Sequence, residues 1–368
     1  MTSRPLAASR FRPHAIVRST ARPTATTTRC ASRSALLWGF TAVLSAHLWL
    51  AIMVETRKPE WRDPEFFHRQ QRLATLVQLE REQGRSRPLV VILGGSRTQT
   101  GRSPEHLGDG FLAYNCSQSG CLPVGERLNL VRLLDSGIKP DFVLIEVLPP
   151  VLADPGPMDH RIPAERIGLA EFRHLGGDRL ASERAWVEWA SLRLESWYSL
   201  RSPLLANWGL SEVFPIRNDP HPLWSSMSPL GWSPAAPREW HANQREERLG
   251  VAHRTYSWLL NDFAIQHEND RVIRDMLKTC RARGIHAALF VMPESPRFRS
   301  WYPPGAREQV GDYLAKISHE FGTPVFDTSA WIDDEAAFLD GHHLLKNAAV
   351  AFSCRFGRDC VEPWVRGK

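Results

Sequence analysis

A stretch of 20 residues without Asp, Glu, Lys or Arg restricts this chain more than any other feature; it covers 35–54 and reads ALLWGFTAVLSAHLWLAIMV. As an α-helix it extends about 30 Å at about 1.5 Å per residue, which matches the hydrocarbon core of a bilayer. Because lipid offers no hydrogen bonds to backbone groups, a single spanning segment has to be helical. The sequence therefore predicts a transmembrane helix over 35–54, with the lipid bilayer as its partner.

The segment before this run, 1–34, is strongly basic. It contains seven arginines and no acidic residue in a background of Ser, Thr, Ala and Pro, a composition that predicts disorder. The residues after the run are mixed in sign, so the positive-inside rule predicts a cytoplasmic N-terminus and an extracytoplasmic main domain at the plasma (inner) membrane. A cleaved signal peptide and an organelle transit peptide are the alternatives, although no small-x-small cleavage site ends the run.

The basic segment also explains the charge of the whole chain. The formal net charge is +6, and the seven arginines of 1–34 leave −1 for all the other residues. The remaining chain therefore lacks the excess of positive charge that is typical of nucleic-acid binding, and we predict no nucleic-acid partner.

Short apolar runs alternate with helical patterns along the rest of the chain. The runs that indicate strands are LVVILGG (89–95), FLAYNCS (111–117), DFVLIEVLP (141–149), HAALFVMP (286–293) and TPVFDTS (323–329). Strands that are apolar on both faces and alternate with helices are typical of a parallel sheet covered on both sides. We expect an α/β fold, a three-layer flavodoxin-like domain with right-handed crossovers, over 88–357.

Other segments surround or interrupt this domain. Tryptophan and proline accumulate at about 152–250, which we interpret as a largely helical, Trp-rich insertion. Its tryptophans are Trp186, Trp189, Trp197, Trp208, Trp224, Trp232 and Trp240. The helical spacing of Leu73, Leu76, Val77 and Leu79 predicts a connector helix within 55–87, and 358–368 is expected to form a C-terminal tail.

Six cysteines lie at positions 30, 116, 121, 280, 354 and 360. Cys116 with Cys121, and Cys354 with Cys360, are close enough in sequence to pair outside the cytoplasm, and buried free thiols are the alternative. The sequence has no C-x-x-C pair and no Cys/His cluster with zinc spacing. We therefore predict neither a metal nor another cofactor.

Ser96 follows the first predicted strand, at the sheet edge where ligands bind in parallel α/β folds. The segment GGSRTQTG lacks the lysine of a phosphate-binding loop and the G-x-G-x-x-G of a dinucleotide site. Two interpretations stay open: a tight turn in which Ser96 caps a helix, and a nucleophile. A nucleophilic serine needs a general base, because the free alcohol reacts poorly at neutral pH.

The segment LDGHHL (339–344) offers such a base. Asp340 precedes His343 by three residues, so the carboxylate can orient one imidazole nitrogen while the other faces a serine. Helix capping by Asp340 beside a solvated histidine pair is the alternative, and His342 is a second candidate base. Taken together, the two segments favour a triad of Ser96, His343 and Asp340.

These segments resemble conserved blocks of the SGNH (GDSL-like) hydrolase superfamily. Its first block is matched by Gly94, Gly95 and Ser96, with Gly95 in place of an acidic or small polar residue, and its last block by Asp340 and His343. The resemblance implies that Ser96 attacks an acyl ester, that His343 carries the proton and that Asp340 orients His343.

The same resemblance implies an oxyanion hole made by the backbone N–H groups of Ser96 and Gly120, with Ser119 as an alternative to Gly120. The third block of the superfamily, Gly-x-Asn, is missing. The corresponding segment VLIEVLPP contains Glu146 instead. Because loss of one oxyanion donor costs about 10²-fold or more in rate, this departure bears on catalysis rather than on the fold.

An N-terminal anchor before such a domain looks like the layout of alginate O-acetyltransferase-like proteins and of the D-alanyl-transfer proteins of teichoic acid assembly. The resemblance implies a membrane-anchored serine esterase or O-acyltransferase. Its implied partners are an acylated polysaccharide or other acyl ester of the cell envelope, together with envelope-assembly proteins. The missing asparagine and the many tryptophans favour the alternative, a catalytically inactive glycan-binding or scaffold protein.

Candidate substrate-binding residues follow the first and fourth strands. Arg97 lies beside the serine and either binds an anionic substrate group or forms an ordinary surface ion pair. The segment MPESPRFRSWYPP (292–304) opens on the same sheet edge and supplies Glu294, Arg297, Arg299, Trp301 and Tyr302 as a predicted substrate wall. Aromatic faces suit sugar rings, and buried structural aromatics are the alternative.

Overall fold

Five apolar segments form one parallel sheet within the residues that the computed structural model describes, which are 25–57, 59–154, 162, 166–171, 183–194, 226–235 and 242–368. The strands are β1 (Leu89–Leu93), β2 (Leu112–Asn115), β3 (Phe142–Glu146), β4 (His286–Val291) and β5 (Val325–Asp327). Their order is β2-β1-β3-β4-β5 and every pair is parallel. This flavodoxin-like order has its switch point between β1 and β3. The predicted α/β class is confirmed.

Helices cover both faces of this sheet. The described α-helices are α1 (Ala25–Thr56), α2 (Pro64–Glu82), α3 (Ser96–Gly101), α4 (Pro123–Asp135), α5 (Pro149–Leu152), α6 (Glu183–Leu194), α7 (Ala242–Asn261), α8 (His267–Ala282), α9 (Pro296–Arg299), α10 (Ala306–Phe321), α11 (Lys346–Phe356) and α12 (Glu362–Arg366). A π-helical turn, Gly357–Val361, joins α11 to α12.

Alternate residues of β1 enter two separate cores, as the period of two in a strand requires. Val91 and Leu93 belong to the larger cluster, which α2, α4, α8 and α10 cover. Val90 and Ile92 face the opposite layer, together with side chains of α11 and α12. All four are fully buried, so β1 is a central strand and its carboxyl end is held rigidly.

One described helix is long and apolar enough to cross a membrane, over Ser32–Thr56. The chain divides into two compact units, Met1–Trp49 and Leu50–Lys368. The helix begins at Ala25, so 25–34 is helical where the sequence predicted disorder. Once the apolar segment has formed a helix, adding further residues to it costs less free energy than starting a new helix. Proline at position 23 of the sequence disfavours extension further towards the N-terminus. The other residues of the predicted disordered segment, 1–24, lie outside the described residues.

The predicted C-terminal tail, 358–368, is instead part of the folded domain. Val361 and Trp364 are buried, and the Trp364 ring lies 4.9 Å from that of Phe142 in β3 and 6.0 Å from that of Phe326. The two buried residues are three positions apart, so one short helical face presents both to the sheet. The sequence analysis overlooked this spacing.

The predicted insertion at 152–250 lies largely outside the described residues, and so do Trp197, Trp208, Trp224 and Trp240. Trp186 and Trp189 of α6 pack edge to face with ring centroids 6.0 Å apart. Trp232 is buried and donates its indole N–H to the carbonyl of Thr100 at 2.7 Å. α7 crosses the predicted boundary at 250 without a break.

The five cysteines whose side chains are described are free thiols. Burial raises the pKa of Cys116 to about 12 and also raises the pKa of Cys280 to about 12. Neither predicted pairing, Cys116 with Cys121 or Cys354 with Cys360, is present. Of the two alternatives, the structure shows free thiols.

Asp63 links α2, which lies in the predicted connector, to the sheet domain. It caps α2 by accepting the backbone N–H of Phe66 at 3.2 Å. Its carboxylate also accepts hydrogen bonds from Gln118 at 2.7 Å and Arg132 at 2.9 Å. Asp63 and Arg132 are both buried, so α2 is held in place by a buried ion pair as well as by the apolar side chain of Leu73.

Replacing Asp63 by alanine is expected to lower the free energy of unfolding by about 1–3 kcal/mol, because it removes the cap of α2 and one of the two carboxylates that pair with the buried Arg132, while Glu171 remains at 2.8 Å. Urea unfolding of the detergent-solubilised full chain, followed by circular dichroism, measures the change. Glu82→Ala, at an exposed position of the same helix, is the control and should change stability by less than about 0.5 kcal/mol. Equal effects of the two substitutions would contradict this account of the connector.

Candidate active site

The turn between β1 and α3 places Ser96 at the carboxyl edge of the sheet. Two glycines make the turn, and each has a close neighbour. A Cβ atom on Gly94 would lie 2.5 Å from Oε2 of Glu146, and one on Gly95 would lie 2.9 Å from the carbonyl oxygen of Cys121. Only glycine lets the backbone approach these groups so closely. Ser96 begins α3 and is partly exposed.

A continuous hydrogen-bonded chain connects this serine to the loop before α11. Oγ of Ser96 lies 2.8 Å from Nε2 of His343. Nδ1 of the same ring lies 2.8 Å from Oδ2 of Asp340. The other carboxylate oxygen of Asp340 accepts the backbone N–H of His343 at 3.0 Å. The three residues that the sequence analysis selected are therefore in contact, with the geometry of a nucleophile, a base and a group that orients the base.

Asp340 stays ionised in this position. Burial disfavours its charge, but the nearby imidazoles of His342 and His343 and the hydrogen bond with His343 outweigh burial and hold the pKa of the Asp340 carboxyl well below its ordinary value. Gly341 has a φ of 89°, which turns the backbone between carboxylate and imidazoles. An ionised Asp340 favours the tautomer in which Nδ1 of His343 carries the proton and Nε2 is free to accept one.

His342 is the buried member of the histidine pair. Its Nδ1 lies 3.1 Å from Oδ1 of Asp340 but completes no hydrogen bond within the described residues. Its Nε2 lies 3.4 Å from the hydroxyl of Tyr256, and its ring is 4.1 Å from that of His343. Burial and then the neighbouring His343 lower the pKa of His342 to about 4. His343, not His342, reaches the serine.

The loop after β2 lies against the serine turn. The backbone N–H of Gln118 donates to the carbonyl of Gly94 at 3.0 Å, and that of Cys121 donates to Gln118 at 3.0 Å. Between these two anchors lie Ser119 and Gly120, which are both exposed. The role of the Gly120 N–H group in an oxyanion hole stays a prediction.

Glu146, the last residue of β3, holds the serine turn in place through hydrogen bonds. Oε2 accepts hydrogen bonds from the backbone N–H of Gly95 at 2.9 Å and from the hydroxyl of Thr98 at 2.7 Å. Glu146 is buried, and its Oε1 lies 3.7 Å from Nε of Arg97. This role of Glu146 could not be predicted, because a carboxylate in the sequence does not reveal which N–H and hydroxyl groups will donate to it.

Arg97 does not face the predicted substrate site. It is only 1% exposed and points beneath the turn, where it lies 3.4 Å from Oε1 of Glu294 and donates to the carbonyl of Met292 at 2.8 Å. Burial raises the pKa of Glu294, against the opposing effect of Arg97. Arg97 therefore forms buried ion pairs rather than a surface one, because the buried carboxylates draw the guanidinium inward, and a role in substrate binding stays a prediction.

The predicted substrate-wall residues of 292–304 contact other residues of the protein. The phenol of Tyr302 donates to Glu294 at 2.9 Å, and Arg299 donates to the Glu294 carbonyl at 2.6 Å. Arg297 pairs with Glu246 at 2.7 Å. The Trp301 ring packs 4.9 Å from that of His253. The five wall residues make contacts within the protein and do not line the cavity beside His343.

That cavity has a volume of about 540 Å³ and is walled by α7. Its lining residues are Gln244, Glu247, Arg248, Val251, Ala252, Thr255, Tyr256, Asp340, His342 and His343. The α7 residues of this lining could not be predicted from the sequence, because a polar helix face has the same spacing whether it borders a cavity or bulk water.

Asp340, His342 and His343 also place three donor atoms within 4.8 Å of one another. Imidazole and carboxylate donors suit a zinc ion. Nε2 and Nδ1 of His343 already contact Ser96 and Asp340, so a bound metal would compete with the hydrogen-bonded chain rather than support it.

Comparisons with known proteins do not assign the chain to a family. No family model matches the sequence, and no curated protein matches it. Among solved structures, a protein from Bacteroides fragilis NCTC 9343 that carries an assignment as an acylhydrolase has a TM-score of 0.35 and 10% sequence identity. The match covers 76% of this chain and 91% of that one. At this level it carries no argument, and membership of the SGNH superfamily stays a prediction from the motifs.

The free energy of unfolding is expected to decrease as the pH falls from about 6.5 to about 4. An unfolded chain protonates histidine near pH 6.5, whereas the buried His342 stays neutral down to about pH 4. In this window the unfolded state binds a proton that the folded state excludes, so acid favours unfolding. The low pKa of Asp340 contributes stability that is lost only below this window.

Urea unfolding of the full chain at pH 7 and pH 5 measures this effect. His342→Phe preserves the ring and removes the titrating group, so the difference in stability between the two pH values should become smaller. An unchanged difference in the variant would contradict the assignment of the effect to His342.

Proposed function

We propose that this protein is a membrane-anchored extracytoplasmic serine esterase or O-acyltransferase of the SGNH type, acting on acyl esters of a cell-envelope glycan. The observation that carries the proposal is the chain of two 2.8 Å contacts from Ser96 through His343 to Asp340. α1 supplies the anchor, and the basic residues before it supply the cytoplasmic orientation.

The reaction begins when Oγ of Ser96 attacks the ester carbonyl carbon and its proton moves to Nε2 of His343. The carbonyl oxygen gains the negative charge, and the N–H groups of Ser96 and Gly120 stabilise it. The C–O bond to the alcohol then breaks, and that alcohol takes the proton from His343. The acyl group is left on Ser96 as an ester, and Asp340 stabilises the imidazolium throughout.

The second half of the reaction transfers the acyl group from Ser96. A hydroxyl group loses its proton to Nε2 of His343, attacks the acyl carbon, and restores the free serine as the proton returns to Oγ. Water as the attacking group gives a hydrolase, and a sugar hydroxyl gives a transferase. The same residues perform both reactions.

A second candidate function is a catalytically inactive glycan-binding or scaffold protein. It is favoured by Glu146 at the position where the superfamily has an asparagine that donates to the oxyanion. An oxyanion hole without that donor is expected to be slower by about 10²-fold or more. The two candidates differ in whether Ser96 reacts with an electrophile.

A fluorophosphonate probe is expected to label the full-length protein in detergent, because the His343 base makes the Ser96 hydroxyl nucleophilic. Ser96→Ala should abolish labelling, and His343→Ala should reduce its rate by at least about 10³-fold. Ser136→Ala, at an exposed position remote in sequence, should label like the wild type. No labelling, or labelling that survives Ser96→Ala, would exclude the catalytic candidate.

Glu146 is expected to act as a positioning residue for this reaction. Glu146→Ala removes the acceptor for Gly95 and Thr98, so the serine turn shifts and kcat for p-nitrophenyl acetate falls by about 10²-fold with little change in KM. Glu146→Gln keeps an oxygen acceptor and should restore kcat to within about 10-fold of the wild type. Equal loss in both variants, or loss through KM, would contradict the positioning role.

A further inference from the structure

One face of α7 forms the long wall of the cavity beside the triad. Gln244, Arg248, Val251 and Thr255 follow each other at three or four residues, which places them in one row along the helix. From 244 to 255 this row extends about 16 Å at about 1.5 Å per residue. Such a length exceeds what a single small ester requires.

This wall is attached directly to the loop that carries Asp340 and His343. The hydroxyl of Tyr256 lies 3.4 Å from Nε2 of His342, and the two rings meet edge to face at 5.1 Å. The side chain of Leu249 packs against the backbone of Gly341, where a Cβ would lie 3.1 Å away. A ligand lying along α7 therefore has one end beside His343.

The side chains of α7 that line the cavity indicate which class of ligand it binds. Its polar groups are an amide, a carboxylate, a guanidinium, a hydroxyl and a phenol, whereas only Val251 and Ala252 are apolar. A polyanion needs several cations, but Arg248 is accompanied here by Glu247 and Asp340. Alternating donors and acceptors match the hydroxyl groups of a neutral sugar chain.

We propose that this face of α7, lined by Gln244, Glu247, Arg248, Val251 and Thr255, is a subsite for several consecutive units of a neutral, hydroxyl-rich glycan. It holds the sugar chain that carries, or accepts, the acyl group at Ser96. This assignment deepens the proposed function and rests on it for the acyl-transfer step, but binding of the sugar chain itself does not need catalysis.

Substitution by tryptophan fills the subsite without disturbing the core. The side chain of Val251 is 50% exposed and Thr255 is also exposed, so a larger residue at either position extends into the cavity. Arg254 is exposed on the same helix and does not line the cavity. Arg254→Trp is therefore a matched control for Thr255→Trp.

The first measurement is binding of neutral pentasaccharides, from cellulose, xylan, mannan and chitin, to the Ser96→Ala full chain in detergent by saturation-transfer NMR. At least one is expected to bind, and adding Thr255→Trp should weaken its binding by about 10-fold or more while Arg254→Trp leaves it unchanged. Absence of binding by all four, or equal loss in both tryptophan variants, would overturn the assignment of the subsite.

The second measurement uses the active protein. For an O-acetylated form of the bound pentasaccharide, Thr255→Trp should raise KM by about 10-fold or more, whereas Arg254→Trp, at a position that does not line the cavity, should leave KM within about twofold. Unchanged KM for the pentasaccharide would overturn the subsite. Binding to the Ser96→Ala chain without any turnover by the wild type would overturn the proposed enzyme function and leave the subsite supported.

Discussion

The contact between Ser96 and His343 joins two segments that are 247 residues apart, and it depends on the order of the strands. β1 is an interior strand of the sheet, between β2 and β3, so its carboxyl end opens at the switch point. The chain after β5 then returns to this same edge before α11. Without that strand order, Ser96 and His343 would not be in contact, and each would be an ordinary residue of a turn.

Buried charge beneath the serine turn keeps this arrangement rigid. The carboxylate of Glu146 accepts two hydrogen bonds from the turn, and Arg97 lies between Glu146 and Glu294. Charges buried in this way are costly unless each has a partner. The network therefore supports the position of Ser96 without itself touching a substrate, which explains why an arginine beside the nucleophile turns away from the cavity.

Much of the fold could be predicted from the sequence, because five β-branched or apolar runs alternate with helical segments and leave few topologies. The spacing of Asp340 and His343 likewise indicated a triad, although their roles stay a prediction until chemistry is measured. The direction of Arg97, the packing of Trp364 and the wall of α7 could not be predicted. Each depends on which partner lies nearby in three dimensions, and a one-dimensional pattern of polar and apolar residues does not specify that partner.

The central claim is that Ser96 becomes acylated, and peptide mapping by mass spectrometry tests it most directly. The full chain is mixed with p-nitrophenyl acetate, quenched with acid within the first turnover and digested. The account predicts an acetyl group on the peptide that contains Ser96, absent from His343→Ala and removed by hydroxylamine. An unmodified Ser96 peptide in a sample that has released nitrophenol, or an acetyl group found only on other residues, would contradict it.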